Sequence, residues 1–281
     1  MSVAAQEYLH DAPKVQFQDS VGKNWKMDPV PVSDILADGS KYRPCGQLQG
    51  KKALVTGGDS GIGRSVVLLF GEFSWLDALD RALSTHSQSL VALEGADVTC
   101  TYLPEVGTFK FPFPSHPYTC IFLQEEDDAE SLKAELKEKA PNSKTHFVPF
   151  DLRSEDNCKE LVRQHIEQFG TLDTLVLNHA MQRLQEHVED LPSEQWLETF
   201  ETNIHPFFYI VKAAVPHMPK GATITMNASV NPFVGHPKLL DYTATKGAIV
   251  GFARALSNQL LPQKRIRVNG KAIFTKLPIC R

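Results

Sequence analysis

Tyr242 and Lys246 stand four residues apart in the run Asp241-Tyr242-Thr243-Ala244-Thr245-Lys246. On a helix that spacing sets a phenol and an amine on the same face, where both can reach one substrate. A free tyrosine titrates near ~10 and is a poor acid or base at neutral pH, and a neighbouring ammonium favours its phenolate. Ser229 lies about 13 residues upstream, at the end of an apolar run, where its hydroxyl could hydrogen-bond a carbonyl oxygen. Taken singly, each has a plain alternative: a tyrosine on a helix surface, a solvated lysine, a serine closing a strand or capping a helix. A second constellation lies earlier, in Thr56-Gly57-Gly58-Asp59-Ser60-Gly61-Ile62-Gly63-Arg64. It joins an apolar run to an amphipathic stretch, as in a strand, glycine turn and helix start that bring a pyrophosphate onto bare backbone amides. The spacing is T-G-x-x-x-G-x-G, not G-x-G-x-x-G, and a surface turn can also be rich in glycine. Its place between strand and helix favours cofactor binding.

Elements at regular intervals must carry these groups. Short apolar runs at 51–58, 96–103, 145–152, 174–180, 222–229 and 266–273 predict six strands. Amphipathic stretches from about 62, and at 127–140, 154–169, 193–218 and 241–261, predict the helices between them. Strand alternating with helix implies βαβ units, hence a single α/β domain with a doubly wound, Rossmann-type parallel sheet over 49–281. Ser154 and Ser193 stand where they would cap helices, with Asp156 and Glu194 close behind to suit the helix dipole. Residues 1–48, punctuated by Pro29, Pro31 and Pro44, read as an N-terminal arm, a mobile tail in preference to a segment that wraps a partner subunit.

Composition excludes several classes. The 29 Lys plus Arg against 33 Asp plus Glu give a net charge of −4, so no basic field invites nucleic acid or an anionic membrane. No basic, then apolar, leader opens the chain, and nowhere do ~18 apolar residues run together. With a mean hydropathy of −0.23 the expectation is a soluble, cytoplasmic protein. The cysteines Cys45, Cys100, Cys120, Cys158 and Cys280 are odd in number and form no C-x-x-C pair, which suggests a reducing compartment without a disulfide framework. The 10 histidines show no H-E-x-x-H or similar pair, so no metal site is expected.

The motifs together resemble the short-chain dehydrogenase/reductase family from about Gln49 to Asn269. The resemblance rests on TGGDSGIG at 56–63, Asp151-Leu152, Asn178-His179-Ala180, Asn203, Ser229, and Tyr242 to Lys246. TGGDSGIGR is similar to a glucose/ribitol-dehydrogenase-like subgroup of carbonyl or polyol oxidoreductases. The resemblance implies hydride transfer between a nicotinamide and a small-molecule carbonyl or secondary alcohol. Tyr242 would exchange the proton at the substrate oxygen, and Lys246 would lower the tyrosine pKa and bind the nicotinamide ribose. Ser229 would orient and polarise the carbonyl, and Asn203 would hold a water linking Lys246 to solvent. Gly57, Gly61 and Gly63 would surround the pyrophosphate, with Asp59, Ser60 and Ile62 in the same cofactor-binding turn. Asp151, with Leu152 beside it, would lie near the adenine, and Asn178 would fix the central sheet beside the cofactor. An NAD enzyme commonly has a carboxylate after the second strand. Here that place reads Tyr102-Leu103-Pro104, with Glu105 nearby, and Arg64 is a candidate for a 2′-phosphate. NADP is preferred, with NAD open, and a homo-oligomer is expected.

Departures from the family pattern define a rival reading. About 20 surplus residues at 72–91, and a second block at 105–124 rich in proline and aromatics, interrupt connections that usually take about 2–6 residues. They could form a lid or partner surface near the adenine, or represent translated noncoding sequence such as retained introns. The second is favoured, because deleting both blocks restores short connections. After residue 270 the chain reads KAIFTKLPICR where the family continues with a Pro-Gly loop, a helical lid and a seventh strand. The substrate lid is therefore expected to be incomplete. Leu177 and His179 stand where the family more often has Asn and Ala, a change read as tolerated. The alternative function is a noncatalytic or weakly active nucleotide-binding remnant acting as an interaction protein.

Overall fold

A computed structural model describes residues 48–59, 61–68, 95–103 and 125–272. Its strands are β1 (Lys52–Val55), β2 (Asp97–Tyr102), β3 (Thr145–Pro149), β4 (Thr174–Leu177), β5 (Thr223–Asn227) and β6 (Arg267–Lys271). They form one sheet in the order β3-β2-β1-β4-β5-β6, with every neighbouring pair parallel. The helices are α1 (Gly61–Leu68), α2 (Glu125–Lys139), α3 (Glu155–Phe169), α4 (Ser193–Asn203), α5 (His205–Ala214), α6 (Asn231–Val234) and α7 (Leu240–Lys264). This is the Rossmann-like sheet that the alternation of runs predicts.

Two hydrophobic layers explain the sheet. Side chains alternate across a strand, so Leu54 enters one core with Leu161 of α3, Phe207 of α5 and Ile249 of α7. Ala53 and Val55 enter the other, with Val67 of α1 and Leu132 and Leu136 of α2. All four residues of β4 are buried, as strands covered on both faces must be. Strand order reverses at β1, which pairs with β2 on one side and β4 on the other. At such a switch point a crevice opens beyond the carboxyl ends of the strands, here lined by the residues that follow Val55, Leu177 and Asn227.

Three local expectations change. The helix predicted over 193–218 is two helices broken at Ile204 (φ −127°, ψ −42°), followed by a 3₁₀ turn at Val215–His217. Pro206 has no N–H for the Thr202 carbonyl, which interrupts the ladder there. Ser193 is the first helical residue and Pro192 holds the cap position, so Ser193 is not the cap. The strand predicted to reach 152 ends at Pro149, and Asp151 and Leu152 belong to the turn into α3. Ser154 does cap α3, its Oγ accepting from the Asn157 amide at 3.3 Å. The arm to residue 47, both surplus blocks, Ser60 and the chain after residue 272 lie outside the described residues. Among the described residues no helix is long and apolar enough to cross a membrane.

Candidate active site

The glycine turn follows β1. Gly57 has φ +59°, a left-handed conformation that favours glycine. Gly63, in the first turn of α1, is excluded from carrying a side chain for a steric reason. A Cβ there would lie 1.7 Å from the Gly57 carbonyl oxygen and 2.6 Å from Asn178 Nδ2. The turn therefore folds back onto the helix start, leaving its amides beside the positive end of α1. The Gly58 amide donates to the Thr101 carbonyl at 3.0 Å, tying the turn to β2. Asp59 is buried within the turn, and Ile62 is exposed at its outer side.

The end of β4 braces this turn. The Asn178 amide N–H donates to Thr56 Oγ1 at 3.0 Å, and its side-chain Nδ2 donates to the Gly57 carbonyl at 3.1 Å. His179 packs its ring edge-on to Phe207 and sets Nδ1 2.7 Å from Thr56 Oγ1. Burial, and then the Lys246 charge, push its pKa down to about 3, against the opposing pull of the nearby Thr202 carbonyl. That carbonyl is outside hydrogen-bonding geometry, and Nε2 makes no hydrogen bond. His179 is thus a neutral wedge under the glycine turn. Leu177 is level with Met226 of β5 and both are fully buried, so an apolar pair fills that position.

Ser229, Tyr242 and Lys246 come together beyond β5. Ser229 Oγ accepts from the Asn231 amide at 3.2 Å at the entry to α6, which fixes the hydroxyl. Burial pushes the Tyr242 pKa up, and a hydrogen bond with Ser229 pulls against it. Lys246 lies one turn further along α7, its Nζ 5.5 Å from the Tyr242 ring centroid. It is 1% exposed, and burial pushes its pKa down to about 7. Its ammonium donates to the Asn227 carbonyl at 2.6 Å.

Asn203 is fully buried and its amide is taken up by protein partners. Oδ1 accepts from the Met181 amide at 2.7 Å, while Nδ2 donates to the Met181 carbonyl at 2.9 Å and to Thr245 Oγ1 at 3.1 Å. It ties the segment after β4 to the residue preceding Lys246. Asp151 lies at the same edge of the sheet, after β3. Burial raises its pKa, but hydrogen bonds from Arg153 outweigh that and hold the carboxyl below its usual range. Leu152 is in the core.

Arg64 does not await a phosphate. It is 8% exposed and points to α2, donating to the Asp128 carbonyl at 3.0 Å, Ser131 Oγ at 3.2 Å and Glu135 Oε2 at 2.8 Å. A guanidinium paired in this way is a helix clamp. Two residues of the site carried no signal in the sequence. Asn227 acts through its carbonyl, which every residue has. Asp241, 1% exposed, accepts from Gln195 Nε2 at 3.0 Å and Thr199 Oγ1 at 2.8 Å, and from the Tyr242 amide at 2.8 Å. A carboxylate at a helix start reads as a surface charge, yet here it locks the first turn of α7 to α4.

This arrangement can be set beside known proteins. A family model described as short chain dehydrogenase matches residues 115–273, more than half of the chain, and spans β3 to β6 with Ser229, Tyr242 and Lys246. The uncharacterized oxidoreductase YhxD of Bacillus subtilis is 40% identical over 275 residues, covering 97% of this chain and 76% of that protein. The chain belongs to the short-chain dehydrogenase family. Another relative in this oxidoreductase family, the glucose and ribitol dehydrogenase of Daucus carota, is 39% identical over 261 residues, 92% of this chain and 75% of that one. A solved short chain dehydrogenase from Burkholderia cenocepacia J2315, in complex with NADP, superposes with a TM-score of 0.61 at 25% identity, covering 80% of this chain and 74% of that one.

Proposed function

We propose that the protein interconverts a carbonyl and a secondary alcohol with NADP(H), Tyr242 giving or taking the proton at the substrate oxygen. The observation that carries this reading is the convergence of the Ser229 hydroxyl, the Tyr242 phenol and the buried Lys246 ammonium beside the glycine turn. The turn fits a dinucleotide: Gly57 and Gly63 keep its backbone bare where a Cβ at Gly63 would collide with the turn itself. Gly57, Gly61 and Gly63 would hold the pyrophosphate, and Lys246 the ribose next to the nicotinamide. When bound, the nicotinamide supplies or takes the hydride at the substrate carbon.

The chain's own residues do the rest. Ser229, oriented by the Asn231 amide, donates to the carbonyl oxygen and holds it against the phenol. Burial keeps the phenol protonated, ready to donate in the reductive direction. Lys246 offsets the negative charge that develops on Tyr242 as the proton leaves. Asn203 and Asp241 keep the two ends of that helical turn in place. NADP is favoured over NAD because no carboxylate follows β2 at Tyr102-Leu103, and the Burkholderia relative holds NADP. Arg64 adds nothing to that preference, since α2 already holds it. Trp196, Leu197 and Phe208, exposed on α4 and α5, support self-association.

The test is NADPH oxidation with a panel of aldehydes and ketones, and NADP reduction with ribitol and glucose. Tyr242→Phe should lower the rate by ~10²-fold or more and leave NADPH affinity nearly unchanged. A variant that retains activity refutes the assigned acid. NADPH binding by the wild-type protein with no turnover across the panel would favour the noncatalytic remnant instead.

A further inference from the structure

The catalytic lysine and the glycine turn are joined by one run of hydrogen bonds. Lys246 Nζ donates to the Asn227 carbonyl at 2.6 Å. The Asn227 side chain donates through Nδ2 to Asn178 Oδ1 at 2.9 Å. Asn178 donates through its own Nδ2 to the Gly57 carbonyl at 3.1 Å. Every link lies at the carboxyl end of β1, β4 or β5, where the crevice opens.

Asn227 is the pivot of this run. It closes β5, and the peptide that follows it is held from two sides: the Ala228 N–H donates to the Lys271 carbonyl of β6 at 2.8 Å, while the carbonyl faces Lys246. The Asn227 Oδ1 is buried and makes no hydrogen bond. Its side chain is therefore anchored through Nδ2 on Asn178. Among the described residues, the titratable groups that face the ammonium are Tyr242 on its own helix and His179 from beyond β4. Both are neutral at pH 7, so the Asn227 carbonyl is the acceptor that holds the charge.

We propose that Asn227 is a positioning residue that couples the Lys246 ammonium to the glycine turn through Asn178. The coupling rests on the reading of Lys246 as the partner of Tyr242 only for its catalytic consequence. The anchored peptide itself exists whether or not the protein turns anything over. If the side-chain anchor is removed, the peptide is held only through the Ala228 N–H, its carbonyl can draw back from Nζ, and a buried amine with a weaker acceptor favours the neutral form.

The decisive readout is the titration of Lys246 followed by its ¹³Cε chemical shift in cofactor-free protein, assigned by its loss in Lys246→Met. Asn227→Ala should lower the midpoint by about one pH unit, a tenfold loss of proton affinity. Asn178→Ala, which removes the anchor without touching Lys246, should lower it in the same direction, and the double variant should go little further. In active protein the limb of the kcat/KM pH profile should move with the midpoint. An unchanged midpoint in either single variant, with thermal unfolding showing a folded protein, overturns the proposal. So do additive shifts in the double variant. If the wild-type protein binds NADPH but turns over no substrate, the catalytic reading fails while the titration still decides the coupling.

Discussion

Lys246→Met offers a quantitative test of how the site is built. Burial holds the Lys246 amine at about 7 against an ordinary value of 10.5, a gap worth about 5 kcal/mol against the charged form in the fully buried setting. The folded pKa lies below the unfolded one, so between the two values the unfolded chain binds the extra proton and stability rises with pH. Below pH ~7 the full penalty stands, and it fades as pH nears ~10.5. Methionine removes the charge at similar length. It also leaves the Asn227 carbonyl without its donor, at a cost of about 1–3 kcal/mol. The net expectation is a cofactor-free variant more stable than wild type by roughly 2 kcal/mol at pH ~7.

The pH window can be chosen so that other groups stay silent. His165 and His179 have their pKa values pushed down by burial, to about 4 and about 3. Their contributions change only below ~6.5, where the unfolded imidazoles titrate. Cys158, pushed up by burial to about 12 from 9.0, removes stability only above its unfolded value. Urea unfolding between pH ~7 and ~9 therefore isolates the lysine, and wild-type stability should rise there by roughly 2 kcal/mol while the variant stays flat. A variant less stable than wild type at neutral pH, or one that keeps the wild-type slope, refutes the buried-ammonium account.

Two further substitutions probe the cofactor side. Gly63→Ala would drive a methyl group against the Gly57 carbonyl, a backbone atom that cannot move aside cheaply. It should lower stability by about 2 kcal/mol and NADPH affinity by calorimetry severely, and wild-type binding would contradict the fitted turn. Arg64→Met breaks a part-buried ion pair with Glu135, which keeps Lys139 as a partner, and should cost about 2 kcal/mol in denaturant unfolding. The ratio of NADPH to NADH affinity should not change, and a swing toward NADH would show that Arg64 reads the 2′-phosphate after all.

The sheet and the Ser229, Tyr242 and Lys246 cluster were legible because each depends on local pattern. Short apolar runs bounded by turns mark strands buried on both faces, and an i, i+4 pair has one geometry on a helix. What escaped detection depends on contacts far along the chain. The clamp of Arg64 is made by Glu135, 71 residues away, so a basic residue beside a phosphate-binding turn looked free. The break at Ile204 was hidden because 193–218 carries apolar residues on both sides of Pro206, and periodicity outweighed the missing N–H. Asn227 escaped because its carbonyl leaves no mark on residue type and its side chain is anchored on Asn178, 49 residues away. Asp241 was hidden because only the packing of α4 on α7 turns a helix-start carboxylate into a buried acceptor.

These missed contacts explain how the site can hold a lysine whose charge is poorly supported. With Tyr242 and His179 both neutral, little among the described residues beside the Asn227 carbonyl favours the ammonium, and burial pushes its pKa down to about 7. An anion settling against the glycine turn would lie at the other end of the Asn178 and Asn227 hydrogen bonds and would favour the charged amine. The proton on Lys246 and the occupancy of the turn are then linked quantities. Tyr242 would acquire its cationic neighbour most fully when the dinucleotide is in place. His179 suits this arrangement because a neutral ring adds no charge of its own. A permanent carboxylate in its place would fix Lys246 as a cation and remove the dependence on occupancy. His179, neutral like the alanine more common there, adds no charge to the floor of the site, so under the proposed function the charge on Lys246 would respond to the cofactor side.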